Sequence, residues 1–176
     1  MAELQQLTVP SSDGHFVHSV ISRCKVDNGV GAALKKADNP ATEYMCWDYL
    51  ASFGINLEHE DRRLPYVTVG AAIGRVKPDS NGSLSLGKAI ASSFPDGNAS
   101  NPAKARIRRL LACNDIAEVC VILRPMLSLI ASRTSQPLDY IRLLGQIKRF
   151  LFSPEKVKAQ WAQEFYSYVG TKDGKQ

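Results

Sequence analysis

Asn101-Pro102-Ala103-Lys104-Ala105-Arg106-Ile107-Arg108-Arg109-Leu110-Leu111-Ala112-Cys113-Asn114 reads as one short helix, and the chain on both sides of it reads the same way. Asn101 suits an N-cap, and Pro102 suits the first helical position, where its missing N–H costs nothing. Ala103, Ile107, Leu110 and Leu111 recur at helical spacing and form one apolar stripe. The other faces carry Lys104, Arg106, Arg108 and Arg109 with no acid among them. Lys104 and Arg108 lie four residues apart and Arg106 and Arg109 three, spacings at which like charges cost a helix about 0.2–0.5 kcal/mol per pair. Lys104 also stands in the first turn, where the helix dipole favours carboxylates. Two readings are open: a face for a polyanion, or a solvated face that is basic.

Working towards the C-terminus, Asn114 or Asp115 caps a helix through Ile116, Val119, Cys120, Leu123, Leu127 and Ile130, in which Pro125 predicts a kink. Gln136-Pro137 opens a helix through Ile141, Leu144, Ile147 and Leu151, with Arg142, Gln146 and Arg149 along its outer face. Ser153 and Pro154 start a last helix with Val157, Trp161, Phe165 and Tyr168 as its stripe. Working towards the N-terminus, Phe94 to Asn101 with Pro95 and Gly97 reads as a linker, preceded by a brief helix from Ser83 or Ser85 that presents Lys88. Arg75 to Gly82 reads as a mobile polar loop. Leu64 to Ile73 has the β-branched content of a strand, but no second strand exists to pair with it, so it reads as a helix. Asn39-Pro40 opens a helix through Tyr44, Trp47 and Leu50 that stops near Gly54. An Ala-rich turn carries Lys35 and Lys36. Ser12 or Asp13 caps a first helix that ends at Asp27-Asn28-Gly29.

The resulting expectation is an all-α fold of two small helical bundles joined by a short linker. The predicted divisions are a tail over 1–12, an N-terminal helical subdomain over 13–94, a linker over 95–101, a basic C-terminal helical subdomain over 102–170 and a tail over 171–176. The chain of 176 residues is long enough for one well-buried core. Its net charge of +5 is regional. Residues 1–99 hold nine Lys and Arg against eleven Asp and Glu, whereas residues 100–176 hold thirteen against six, a net of −2 against +7. A positive surface on the C-terminal half follows. Residues 1–10 lack a charged and then apolar leader, and no apolar run is long enough for a membrane span, so a cytoplasmic protein without a membrane partner is expected. Cys24, Cys46, Cys113 and Cys120 have no metal-type spacing and read as buried free thiols.

Enzyme signatures are missing from the sequence: there is no phosphate-binding Gly-rich loop, no Gly-x-Ser-x-Gly elbow and no His-Glu-x-x-His helix. His15 and His18, at i and i+3 beside Ser12 and Asp13, are the densest catalytic-type cluster, and a metal there would need a third ligand from elsewhere. No cofactor is implied. The candidate nucleic-acid-binding residues are Lys35, Lys36, Lys88, Lys104, Arg106, Arg108, Arg109, Arg124, Arg142, Lys148 and Arg149, drawn from separate helices. If they converge they track a phosphate backbone, and nothing suggests readout of base edges. A different class of function, a helical adaptor whose basic face binds an acidic protein, stays open at this point.

Two segments carry a family resemblance. Asn81-Gly82-Ser83-Leu84-Ser85-Leu86-Gly87-Lys88-Ala89-Ile90-Ala91, followed by Ala105-Arg106-Ile107-Arg108-Arg109-Leu110-Leu111-Ala112-Cys113, resembles the central signature of the CasB family, the small subunit of the type I-E CRISPR Cascade complex. Val26-Asp27-Asn28-Gly29 with Ala33-Leu34-Lys35-Lys36 resembles its N-terminal motif, and Leu123-Arg124 and Leu138 to Arg142 continue the match. The resemblance implies an all-helical, non-catalytic subunit present in two copies. Its partners would be the guide RNA, the target and displaced DNA strands, and the backbone and large subunits of the complex. It marks Lys35, Lys36, Lys88, Arg106, Arg124 and Arg142 as the charged positions, with lysine in place of the usual arginine at the first three, so bidentate phosphate contacts are lost there. Ala112 and Asp115 stand where family members often carry further bases.

Overall fold

The computed structural model describes residues 11–170, and the rest of the two expected tails lies outside them. Among the described residues the chain forms nine α-helices: α1 (Ser12–Val26), α2 (Asn28–Lys36), α3 (Trp47–Ser52), α4 (Glu60–Val76), α5 (Leu86–Ser92), α6 (Asn101–Leu111), α7 (Ile116–Arg133), α8 (Tyr140–Phe150) and α9 (Pro154–Tyr166). Two 3-10 segments, Pro40–Cys46 and Gly97–Ala99, join them, and among the described residues no strand is present beyond one isolated bridge between Leu84 and Leu138. The fold is all-α, as the sequence predicts. No helix of the described residues is long and apolar enough to cross a membrane.

The strand-like stretch at Leu64 to Ile73 lies within α4, and its composition has a physical reason. Residues 67–74 are all buried, because α1, α2, α7 and α8 pack around this helix. A helix enclosed on every side is apolar on every side, so it carries no amphipathic signal. Glycines set how closely its neighbours approach. A Cβ on Gly74 would lie 2.9 Å from the Gly31 carbonyl oxygen, so α2 and α4 meet backbone to backbone. Here α2 is a full helix where the sequence suggests only a turn. Asp27 builds it: its backbone N–H donates to the Arg23 carbonyl at the end of α1, and its carboxylate accepts the Gly29 and Val30 N–H groups of α2.

Several helix starts shift by a residue or more. Ser11, not Ser12 or Asp13, caps α1. Ser100, not Asn101, caps α6 by accepting the Ala103 N–H. Asp115 caps α7 by accepting the Glu118 N–H, while the Glu118 carboxylate reaches back to accept the Asn114 N–H. α7 then continues through Pro125 to Arg133. The start of α8 is displaced further, from Gln136-Pro137 to Tyr140, because Pro137 and Leu138 are held extended. Gly82 donates to the Leu138 carbonyl at 2.9 Å, and Asp139 donates to the Leu84 carbonyl at 2.9 Å.

The loop ending at Gly82, expected to be mobile, is therefore pinned at its end. The Asn81 Oδ1 accepts from the Tyr140 N–H at 2.8 Å, while its Nδ2 donates to Asp139 at 3.0 Å. Gly82 is obligatory there, since a Cβ would fall 1.8 Å from the Pro137 carbonyl oxygen.

Packing does not divide at 95–101. α5, which precedes that segment in sequence, packs mainly on α9 and also on α6, and α4 packs on α7 and α8. A single apolar core runs from Phe16 on α1 to Phe165 on α9. A cut at the expected linker would separate α5 from its principal neighbour.

Candidate nucleic-acid interface

α6 buries Ala103, Ile107 and Leu110 against α5, α7 and α9, which fixes where its bases point. Arg108 and Arg109 are exposed, and Lys104 and Arg106 are partly exposed on the flanks. None of the four has a carboxylate within ion-pair distance among the described residues. Of the four, Arg106 has an aromatic and a backbone contact for its guanidinium. Its guanidinium lies 5.1 Å from the Phe94 ring centroid, and its Nη1 donates to the Pro102 carbonyl at 3.2 Å. Lys88 is exposed on α5, which packs on α6, so it belongs to the same group of helices. Arg149 is exposed near the end of α8 and is also unpaired among the described residues.

Lys35 and Lys36 are exposed at the end of α2, whose main partners are α4, the 3-10 segment at Pro40–Cys46 and α1. They form a second basic locus apart from α5 and α6.

Three of the expected residues are paired with carboxylates of their own protein. Arg124 is only 14% exposed on its side chain and faces Asp38, which Arg75 also engages. Lys148 pairs with Asp13 and lies over the Tyr66 ring. Burial draws its pKa down, but the Asp13 carboxylate and the Tyr66 hydroxyl outweigh that and leave it above the ordinary lysine value.

Arg142 donates through Nε and Nη2 to Glu164 Oε1, at 2.9 and 2.7 Å. The same oxygen accepts from Gln146, and Glu164 Oε2 accepts the Gly87 N–H at 3.0 Å. Gln146, expected on an outer face, is buried and also accepts from the Trp161 indole at 2.9 Å. These arginines and this lysine tie together segments between 22 and 135 residues apart, and their charge is already answered by protein carboxylates.

The Gly87-Lys88 step has its own explanation. A Cβ on Gly87 would come within 2.5 Å of the Trp161 carbonyl oxygen, so only glycine lets α5 lie directly on α9. The Glu164 carboxylate then acts as the first-turn acceptor of α5, while the N-cap hydroxyl of Ser85 has no partner. The motif's glycine packs helices together, and its lysine faces outward.

Two residues that the sequence reading passed over, Arg133 and Phe94, complete the basic region. Arg133 closes α7, and its guanidinium lies 5.0 Å from the same Phe94 ring that Arg106 covers. Its only sequence signal is a cation in the last turn, which the dipole favours anyway.

His15 and His18 are both exposed, and His15 leans on Phe53 at 5.6 Å. Among the described residues no group of three or more His, Cys, Asp or Glu side chains is arranged to hold a metal. All four cysteines are buried and free. Burial pushes the thiol pKa of Cys46 up to about 12 and that of Cys120 to about 11, and it raises those of Cys24 and Cys113.

The family model of CRISPR-associated protein Cse2 matches residues 30–166, from within α2 to the end of α9. The chain belongs to the Cse2, or CasB, family. Three solved structures share its fold. The Cse2-family protein TTHB189 from Thermus thermophilus superposes with a TM-score of 0.67 at 19% identity, over 91% of this chain and 100% of that one. M. ruber CasB gives 0.62 at 19% identity, over 90% and 94%. A chain of a CRISPR RNA-guided surveillance complex gives 0.61 at 18% identity, over 86% and 90%. No curated protein matches this chain in sequence.

Proposed function

We propose that this Cse2-family chain is a non-catalytic small subunit of a Cascade-type surveillance complex, and that it contributes a basic, sequence-independent surface. The surface supports guide RNA and target DNA binding and holds the displaced strand of the R-loop. The observation that carries this reading is α6, where four bases on one helix meet no carboxylate among the described residues of their own protein. Lys88 on the neighbouring α5 and Arg149 on α8 supply further unpaired bases, while Lys35 and Lys36 form a second point of contact. Arg124, Arg142 and Lys148 support the scaffold and leave the phosphate-binding role to the unpaired bases.

The energetics suit such a role. Exchanging a DNA duplex for an RNA–DNA hybrid is nearly balanced, so a few phosphate contacts tip it. Chemistry is not required of the subunit, and cleavage belongs to a separate nuclease. Its neighbours in the assembly are the backbone and large subunits and a second copy of itself.

The test is target binding by the assembled complex carrying Arg108→Gln with Arg109→Gln. Affinity falls, and the slope of log affinity on log salt becomes shallower by about 1 for each lost phosphate contact. Undiminished affinity and an unchanged slope would remove α6 from the interface.

A further inference from the structure

Arg106 and Arg133 come from different helices, yet their guanidiniums share one aromatic ring, at 5.1 and 5.0 Å from the centroid of Phe94. Neither guanidinium has a carboxylate within ion-pair distance among the described residues. Each is held by a backbone carbonyl instead. Arg106 donates to Pro102 at 3.2 Å, and Arg133 donates through Nη1 to Ser93 at 3.3 Å. One donor fixes each fork in place and leaves the other N–H groups of each guanidinium unspent.

The loop that follows the ring is tied down. Phe94 leads into a loop that turns at Gly97, with φ +56°, and ends at Asn98. The Asn98 amide donates to the carbonyls of Phe165, Tyr166 and Tyr168 at 3.4, 3.0 and 2.9 Å, tying the loop to the end of α9. Beside the ring opens a cleft of about 1080 Å³ whose walls include Phe94, Asp96, Asn98, Arg133 and Tyr168.

We infer that Arg106 and Arg133, set on Phe94, form a two-guanidinium clamp for a backbone phosphate of a single nucleic-acid strand. Paired planar forks match phosphate oxygens bidentately, and stacking on an aromatic ring pre-orients them so that little freedom is lost on binding. The clamp rests on the proposed nucleic-acid role and adds to it a defined site, including a residue outside the basic helix. Asp96 lines the same cleft without pairing to Arg133, and its charge opposes the ligand there.

The probe is a short single-stranded oligonucleotide, titrated against the full-length chain at several salt concentrations, with an abasic strand of the same length and inorganic phosphate as separate arms. Arg133→Gln lowers affinity for both strands about tenfold, the effect of one charge-assisted hydrogen bond, and flattens the salt slope by about 1. Arg133→Lys keeps the charge but recovers only part of the loss. Combining Arg133→Gln with Arg106→Gln costs less than the two changes taken separately, because each fork depends on the other. Asp96→Asn strengthens binding. Inorganic phosphate binding as tightly as the oligonucleotide marks a free-anion site and overturns the strand clamp, and weaker binding of phosphate marks a site for the strand.

Wild-type affinity left unchanged by Arg133→Gln overturns the clamp. Loss of binding to the base-bearing strand alone, with the abasic strand unaffected, makes the site a base-stacking one, which also overturns it. A wild-type chain that binds no strand overturns the proposed function itself. Because Arg133 is exposed, the variant keeps the fold, and its circular dichroism verifies this.

Discussion

α6 and the seam between α8 and α9 are both basic in sequence, yet they use their charge in opposite ways. At the seam, Arg142 meets Glu164, which also serves Gln146 and the first turn of α5. On α6, Arg108 and Arg109 face solvent and answer to no carboxylate among the described residues. A basic residue counts toward an interface only when the fold has not already spent it. Composition alone does not reveal that, because the acids that spend these bases lie 22 residues away for Arg142 and 135 for Lys148.

Breaking the seam has the largest expected effect on stability. Glu164→Ala strands Arg142 and Gln146 and removes the acceptor of the Gly87 N–H, and it costs about 3 kcal/mol, read as a lower urea midpoint. The freed Arg142 leaves strand binding intact or slightly tighter in the molecules that remain folded. A variant as stable as the wild type would erase the contrast between the two regions.

Alkaline pH acts on the interior next. The thiols of Cys46 and Cys120 and the Tyr140 hydroxyl, pushed up to about 12, about 11 and about 12 in turn, are harder to ionise folded than unfolded. Their stabilisation is complete below the unfolded values and fades as pH rises from about 9 towards 11 or 12, by about 1.4 kcal/mol per pH unit for each proton's difference. Lys148, also raised, contributes in the same direction. Urea midpoints at about pH 8 and about pH 10 measure the fall, and Cys46→Ala reduces it. In native protein all four thiols resist labelling, and denaturant exposes all four.

Asp38→Asn has a smaller effect. It unpairs Arg75 and the largely buried Arg124, and costs about 1–2 kcal/mol in chemical denaturation. Least of all, Arg108→Gln with Arg109→Gln shifts stability by no more than about 0.5 kcal/mol, and relief of the like-charge pairs tends to raise it. Stability unchanged at α6 and binding unchanged at the seam together sharpen the comparison.

Much of the architecture was legible. Apolar periodicity marks α1, α6, α7 and α9, and Asp115 announces the helix it caps, whereas α2, which Asp27 caps, reads only as a turn. α4 is legible only by elimination, because complete burial erases its periodicity. What escapes the sequence is what depends on distant partners. Gln136-Pro137 has the grammar of a helix start, but the Asn81-Gly82 segment holds the chain extended up to Asp139. The candidate site divides along the same line. The bases of α6 are visible because they are contiguous, whereas Arg133 joins them only through Phe94, a residue of the apparent linker.

The Glu164 carboxylate under Gly87 also bears on the order of events in folding. α5 finds its first-turn acceptor 77 residues downstream, so the short helix is uncapped until α9 has docked. Closing so long a loop comes late, after the local helices have formed. Substitutions at Glu164 are therefore expected to speed unfolding far more than they slow refolding, which makes this contact the latch of the native state.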